Sequence, residues 1–332
     1  MSKDMVLIVT ASDEPSIADV VTHMTTIGQQ YVRLDTDQFL VDGVKILLRL
    51  SGHNFGGVIK LKDKQEVALD SIKSVWFRRP KSVSAGNLYK TTDEITFVEK
   101  EASSALWSLY TNLDRVFWMN HPLSARKMLE NNKLLQQKFA VLSGLAIPDT
   151  IITNEPVTLF DFCRRHGGSI ALKTIGFHVF PKESGMVSGI YTNRVSEDYL
   201  RSRLDSITAT PIMAQEYIEK KLELRVTIVG RQIFTCAIYS QDSDKTKHDW
   251  RHYDFDNVKH EKYLLPPTIE HQLLDFMKLR RLSFGAIDMI LTPAGKYVFL
   301  EVNPSGQFRW IESLTGMPIS RAIAETFSNP NE

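Results

Sequence analysis

The chain has 332 residues, 43% hydrophobic and 24% charged, with a formal net charge of +1. That is an ordinary globular composition, long enough for two or three domains, with no global pull towards nucleic acid or membrane. The two cysteines, Cys163 and Cys236, form no C-x-x-C pattern and are expected to pack as small apolar side chains.

The first apolar run, Met5 to Val9, is too short for a signal sequence or a membrane span, so a cytoplasmic location is expected. Met5 to Thr10 reads as a strand, Ser16 to Ile27 as a helix closed by Gly28, and Tyr31 to Asp35 as the next strand. This βαβ opening predicts a Rossmann-like layer. Its first turn, TASDEPS, holds no glycine, which argues against a nicotinamide cofactor there. Further strands are expected at Lys45 to Leu50, Gly57 to Leu61 and Ile72 to Phe77, the last ending in Arg78-Arg79-Pro80. Adjacent arginines at a strand end can grip phosphate or carboxylate, or can simply close a solvated end. Only one of the two can face any given way. Ile95, Val98, Ala102, Leu106 and Leu109 mark a long amphipathic helix from Thr92 to Leu113, with a short strand, Val116 to Met119, after it. A domain boundary is placed near His121-Pro122, giving an amino-terminal domain over 1–120.

In the second half, Ser124 to Ser143 reads as one helix carrying Lys133, followed by a strand over Asp149 to Thr153 and a helix over Val157 to His166. Ile170 to Lys173 is a short apolar strand whose lysine needs an anion or water at its tip. A long tract, TIGFHVFPKESGMVSG, leads to a strand, Ile190 to Val195, and a polar helix from Ser196 to about Ile207. A central subdomain is placed at 121–212 and a carboxyl-terminal one at 213–332. The latter opens with IMAQEYI, Ile212 to Ile218, then Glu223-Leu224-Arg225 entering a strand through Val229. Gln232 to Ser240 pairs back. SQDSDKTKHDWRHYD is polar and expected to be mobile, and a linker and helix over Leu264 to Arg280 follow.

FGAIDMILTPAGKYVFLEVNPSGQF, Phe284 to Phe308, reads as a hairpin. Alternation puts Ala286, Asp288 and Ile290 on one face of its first strand, and Tyr297, Phe299, Glu301 and Asn303 on one face of its second. With Pro293 to Lys296 as the loop, Asp288 lies across from Glu301, their Cβ atoms roughly 5 Å apart. Two carboxylates and an amide so close need a cation or a proton between them, and hard oxygen donors suit magnesium with substrate phosphates. Apolar flanks favour a site over a wet surface hairpin. His248 and His252 are four apart, but nothing nearby completes a zinc site. No Walker lysine motif occurs.

A lysine on a helix, a lysine on a strand, a strand ending in Glu-Tyr-Ile, then Glu-x-Arg, Asp-Trp-Arg, and Asp with Glu-x-Asn on a hairpin form an ordered series. It resembles the ATP-grasp ligases over at least Asn132 to Asn303. The resemblance implies a Rossmann-like domain followed by a two-subdomain ATP-grasp fold, mixed α/β and α+β, with ATP and two magnesium ions. By that resemblance Lys133 and Lys173 contact phosphates, Gln215, Glu216, Tyr217 and Ile218 form the strand reading adenine, and Glu223 holds the ribose. Arg225 and Arg251 serve the transferring phosphoryl, and Asp288, Glu301 and Asn303 hold the metals. The span Thr174 to Gly189, with Phe177, His178 and Phe180, is longer than the family's phosphate-covering loop.

WFRRP, SQDSDKTKHDWRHYD and LEVNPSGQFRWIESLTGMPI narrow the resemblance to the graspetide ligases of the microviridin, plesiocin and thuringinin type, the last nearest. It implies a macrocyclase that joins Asp or Glu side chains of a ribosomal precursor peptide to Thr or Ser hydroxyls as ω-esters, or, as in some members, to lysine as ω-amides. By the same resemblance the core of that peptide would be Thr/Glu/Asp-rich. Its leader would meet a hairpin and helix here carrying Tyr191, Asn193, Glu197 and Asp198, although Glu197 and Asp198 also simply suit a helix start. A homodimer is a further implication, and no membrane or nucleic-acid partner is expected. No residue stands out as the base; His178, His248, Asp249 and His252 lie in the right tracts. The competing functions are a carboxylate-amine ligase acting on a free amino acid or a protein terminus, and a non-catalytic nucleotide- or peptide-binding module.

Overall fold

A computed structural model of the chain describes residues 4–330 apart from 128, 131, 177–178, 182–186, 190–191, 248 and 253. β1 (Met5–Thr10), α1 (Ser16–Thr26) and β2 (Gln30–Asp35) form the expected βαβ unit, with β1 and β2 parallel. Gly28, at φ 74°, ends α1 because the Gln29 N–H reaches Met24 O only if the chain turns left-handed there. β3 (Lys45–Ser51), β4 (Asn54–Lys60) and β5 (Glu66–Ala68) leave this layer and make an antiparallel three-stranded sheet of their own. The three-residue β5 carries too short a pattern to be read from sequence. β6 (Ile72–Phe77) returns beside β1, α2 (Thr92–Asn112) starts from a Thr91–Glu94 capping box, and β7 (Phe117–Met119) completes a parallel sheet ordered β2-β1-β6-β7. Leu7 and Val9 pack on α2's side with Leu106 and Leu109, while Val6 and Ile8 pack on α1's side with Val20 and Met24. Burial on both faces is why β1 reads as an unbroken apolar run.

Ser124 to Ser143 is not one helix. Leu123–Lys127 forms a single wide turn, and α3 (Lys133–Leu142) starts afresh at Asn132, whose side chain accepts from the Leu135 N–H at 3.1 Å. A side-chain cap stops the helix there and makes Lys133 its first residue. β8 (Thr150–Thr153), α4 (Pro156–Arg165), β9 (Ser169–Lys173), a small hairpin of β10 (Val179–Pro181) with β11 (Val187–Gly189), and β12 (Asn193–Ser196) follow. The helix expected from Ser196 to Ile207 is two short ones, α5 (Glu197–Arg201) and α6 (Leu204–Ala209), because the chain leaves helical geometry at Arg203. β13 (Ile212–Glu216) closes a sheet ordered β12-β9-β13-β8.

The last sheet is built from β14 (Leu222–Val229), β15 (Gln232–Ile238) and β16 (His260–Lys262), then, after α7 (Pro267–Leu279), β17 (Phe284–Leu291) and β18 (Tyr297–Asn303). Its order is β16-β15-β14-β17-β18, all antiparallel. The tract from Ser240 to Asp254 is pinned rather than loose among its described residues: Thr246, Asp249 and Trp250 are buried, and the Thr246 hydroxyl donates to Ser240 O. After α8 (Arg309–Thr315), α9 (Ile319–Ser328) runs back against α1, with Phe327 6.1 Å from the Trp76 ring. Asn120 ties the two halves: its amide donates to Phe284 O and Pro304 O, and its oxygen accepts from the N–H groups of Ser283 and Phe284. Among the described residues no helix is long and apolar enough to cross a membrane.

Candidate active site

A cleft runs between the β12-β9-β13-β8 sheet and the five-stranded sheet. Pro148, Ala171, Ile218, Ile290 and Leu300 line its apolar part, and Lys173, Glu223, Arg251, Asp288 and Glu301 its polar part. Asp288 does face Glu301 in the β17–β18 ladder, but by a different route from the expected one. Leu291 pairs Tyr297, and the register then slips by one residue at Leu300. That bulge turns Phe299 into the core with Ile287 and Met289, so Tyr297, Phe299 and Glu301 do not share a face. Simple alternation cannot anticipate an extra residue.

The acids sit among cations. Asp288 accepts twice from Arg225 Nη1, at 3.0 and 3.1 Å, its partner directly across β14 and β17. Glu301 takes Lys133 Nζ at 3.2 Å and Arg251 Nη1 at 3.7 Å. Lys133 reaches this point because it opens α3, and it also donates to Thr174 O. Burial raises Asp288, with Glu301's charge adding to it against Arg225. Burial would raise Glu301 too, but Lys133, Arg251 and Lys173 outweigh it and hold that carboxyl well below the usual range. Burial also pulls the Lys173 ammonium down to about 8 despite Glu301, and Lys133 and Arg251 repel it further.

This donor set fits magnesium. Two carboxylates face each other across a ladder, in surroundings that already require positive charge, and Asn303 follows on the exposed end of the same strand. Asn303 Oδ1 accepts from the Ser305 N–H at 2.9 Å, so it has a further lone pair to offer. Among the described residues no three His, Cys, Asp or Glu side chains cluster as a metal site, so an amide and nucleotide oxygens would have to complete the shell.

At the other end, Gln215 is buried in β13, donating to Thr150 Oγ1 at 2.9 Å, while its oxygen has no partner among the described residues. Glu216 ends the strand, accepting from the Asp149 N–H, and Tyr217 and Ile218 lie beyond the ladder, Tyr217 beneath the Arg194 guanidinium at 4.3 Å. Glu223 is buried rather than part of an exposed charge pair: it accepts from Lys220 at 2.9 Å and Ser240 at 2.8 Å. Burial raises it, while both partners lower it.

Asp249, named from sequence only as lying in a tract where a base could sit, helps build the site, and other residues that do so were not singled out at all. Asp249 clamps Arg251 with both oxygens, at 2.8 and 2.6 Å, and accepts from the Thr192 N–H. Arg251 lowers its pKa to about 2 against burial. The Asp-Trp-Arg spacing was the available signal. Lys220, Ser240 and Gln136, which accepts from the Val302 N–H, had none. In the expected leader region Asn193 and Asp198 are exposed, Glu197 is held by Arg164 and Arg201, and Tyr191 lies outside the described residues. His178, His248 and the side chain of His252 lie outside them too.

Residues 5–126 match the family model described as the MvdD pre-ATP grasp domain, and residues 125–327 match the RimK-like ATP-grasp domain. No curated protein matches the chain. Among solved structures, the chain is similar to the Chryseobacterium gregarium RiPP-associated ATP-grasp ligase in complex with ADP and a leader and core peptide, at 27% identity, TM-score 0.88, over 99% of this chain and 98% of that one. It is also similar to macrocyclase MdnC bound with precursor peptide MdnA from Microcystis aeruginosa MRC, at 34% identity and TM-score 0.82, over 98% and 99%. Macrocyclase MdnB of the same source aligns at 30% identity and TM-score 0.76, over 98% and 99%.

Proposed function

The chain belongs to the ATP-grasp ligases, which form ADP, and from that premise we propose that it cyclises a ribosomal precursor peptide by ω-ester formation, in the manner of thuringinin-type ligases. One observation carries the proposal: a single cleft gathers Lys133, Lys173, Arg225 and Arg251 around the Asp288–Glu301 pair at one end and Gln215 to Ile218 at the other. Four cations and two acids suit a triphosphate with its metals, and the apolar end suits a base. The peptide-bound neighbours support a peptide as the second substrate.

In this proposal Lys133 and Lys173 hold the phosphates, Gln215, Glu216, Tyr217 and Ile218 seat adenine, and Glu223 holds the ribose. A carboxylate oxygen of a peptide Asp or Glu forms a bond to the γ-phosphorus while the bond from that phosphorus to the β–γ bridging oxygen breaks and ADP leaves. Arg225 and Arg251 balance charge on the moving phosphoryl group. Two magnesium ions held by Asp288, Glu301 and Asn303 would supply further neutralisation when bound. A Thr or Ser hydroxyl oxygen then bonds to the acyl carbon, phosphate departs and the hydroxyl proton is lost, giving the ester. Closing the cleft keeps water from the acyl phosphate. Asn193, Glu197 and Asp198, with Tyr191, are our proposed leader contacts, and the enzyme is proposed to act in the cytoplasm as a homodimer.

Co-expression with a candidate precursor peptide, sought as a short open frame rich in Thr and Glu/Asp near the gene, tests this. The expected product loses one water per ring, and mild alkali restores the original mass because the links are esters. ATP turnover that responds to a small amine and ignores the peptide would instead identify a carboxylate-amine ligase, and nucleotide binding without product would identify a non-catalytic module.

A further inference from the structure

A second cavity, of about 450 Å3, opens at the carboxyl ends of β1 and β6. The sheet order β2-β1-β6-β7 makes this its switch point: the chain leaves β1 towards β2 on one side and comes back as β6 on the other. Open parallel sheets bind ligands in that crevice, because the loops diverge there. Its opposite wall is the loop after β18, where Gln307 lines the cavity and its carbonyl accepts from Arg225 Nη2 at 3.3 Å. The crevice therefore adjoins the Arg225–Asp288 pair through Gln307.

Its charges are unequally engaged. Lys81 is paired with Asp13 at 2.6 Å, Glu14 is already taken by the Ser16 hydroxyl and Arg78, and Glu130, the third acid on the wall, has a partner of its own. Arg79, 44% exposed at the cavity wall, has only one ion pair among the described residues, to Glu14 at 3.9 Å. Its backbone sits at φ 48°, in the left-handed region that glycine takes freely and arginine takes under strain. Arg79 thus lines the crevice with guanidinium donors that no described residue takes up. A nucleotide already has its own cleft, and a hydroxyl would not call for a guanidinium. A carboxylate would.

We propose that this crevice receives the Asp or Glu side chain that is to be phosphorylated, with Arg79 as its counter-ion. The inference rests on the proposed peptide ligation and names the place where the acyl donor waits. The test uses the same precursor peptide purified from cells that lack the ligase, so that its acids are free, alongside a version in which every core Asp and Glu is the corresponding amide. Arg79→Gly relieves the backbone strain, so it is expected to unfold no lower than wild type and to bind ADP unchanged. Its KM for the precursor rises about tenfold. Wild type binds the acidic core better than the amide core; Arg79→Gly binds the two alike, and Arg79→Lys restores part of the difference. An Arg79→Gly enzyme with wild-type KM, or one that still prefers the acidic core, overturns the assignment. If wild type itself makes no ring from the precursor, the ligation proposal fails first, so the two failures are told apart.

Discussion

Arg78 and Arg225 are both buried guanidiniums facing an acid, one at the seam between the amino-terminal sheet and the loop after β18, the other in the cleft. Arg78 has every nitrogen engaged: Nε with Ser16 Oγ, Nη1 with the carbonyls of Ser305 and Gly306, and Nη2 with Glu14 and the Gln307 side chain. It also lies 5.1 Å over the Phe308 ring. Burial pulls its pKa down to about 10 in spite of Glu14. Arg225 spans Asp288 and the Gln307 carbonyl, yet its buried Nε has no partner among the described residues. A saturated buried arginine fixes architecture, whereas one with a donor left over beside two acids can still answer to a ligand. Gln307 touches both, which joins the seam to the cleft.

The contrast can be broken most sharply at the seam. Arg78→Met leaves Glu14 buried without its nearest cation and is expected to cost about 3–5 kcal/mol in urea unfolding. The enzyme that remains folded should keep a turnover within a few-fold of wild type. Loss of turnover at unchanged stability would make Arg78 a participant in the chemistry instead.

In the cleft the effects should invert. Glu301→Gln is expected to lower product formation on the order of 10²–10³-fold with little change in unfolding, measured as mass loss of the precursor and as ADP release. Between these sites, a Cβ on Gly306 would lie 2.4 Å from Ala286 Cβ and 2.8 Å from Arg225 Nη2. Gly306→Ala should therefore cost about 1–3 kcal/mol and reduce turnover by displacing Arg225.

A smaller effect follows from Lys173, whose pKa stands at about 8. Its ammonium is charged below that value and lost above it, so ADP affinity should weaken several-fold as pH rises from about 7 to about 9.5. Lys173→Arg should flatten the profile. In the ligand-free protein the sign reverses: the folded value lies below the ordinary lysine value, so the residue costs stability below about pH 8, and that cost fades as pH rises towards the unfolded value. Smallest of all, Glu197→Ala removes ion pairs to two half-exposed arginines and should change stability by about 0–1 kcal/mol.

Much of this was legible locally. Met5 to Thr10 and Phe284 to Leu291 announced themselves as strands because both faces of each are buried, and Gly28 marked its helix end. The facing of Asp288 and Glu301 was legible too, though the bulge that produces it was not. The polar tract after Ser240 misled because its composition resembles a solvated loop, while Asp249 and Trp250 are buried by contacts the local pattern does not contain. The helix from Ser124 misled for the converse reason: apolar spacing continues past a point where Asn132 caps a new start.

By itself the sequence determined which residue types lie near one another along each strand and helix, and hence the kind of chemistry available, because alternation, caps and turns act over a few residues. The tertiary structure alone decided that Arg78 serves architecture while Arg79 turns to a crevice. It also decided that Lys133 and Arg251 converge on Glu301 from separate segments. Those outcomes depend on burial and charge balance among groups far apart in the chain, which no local pattern encodes.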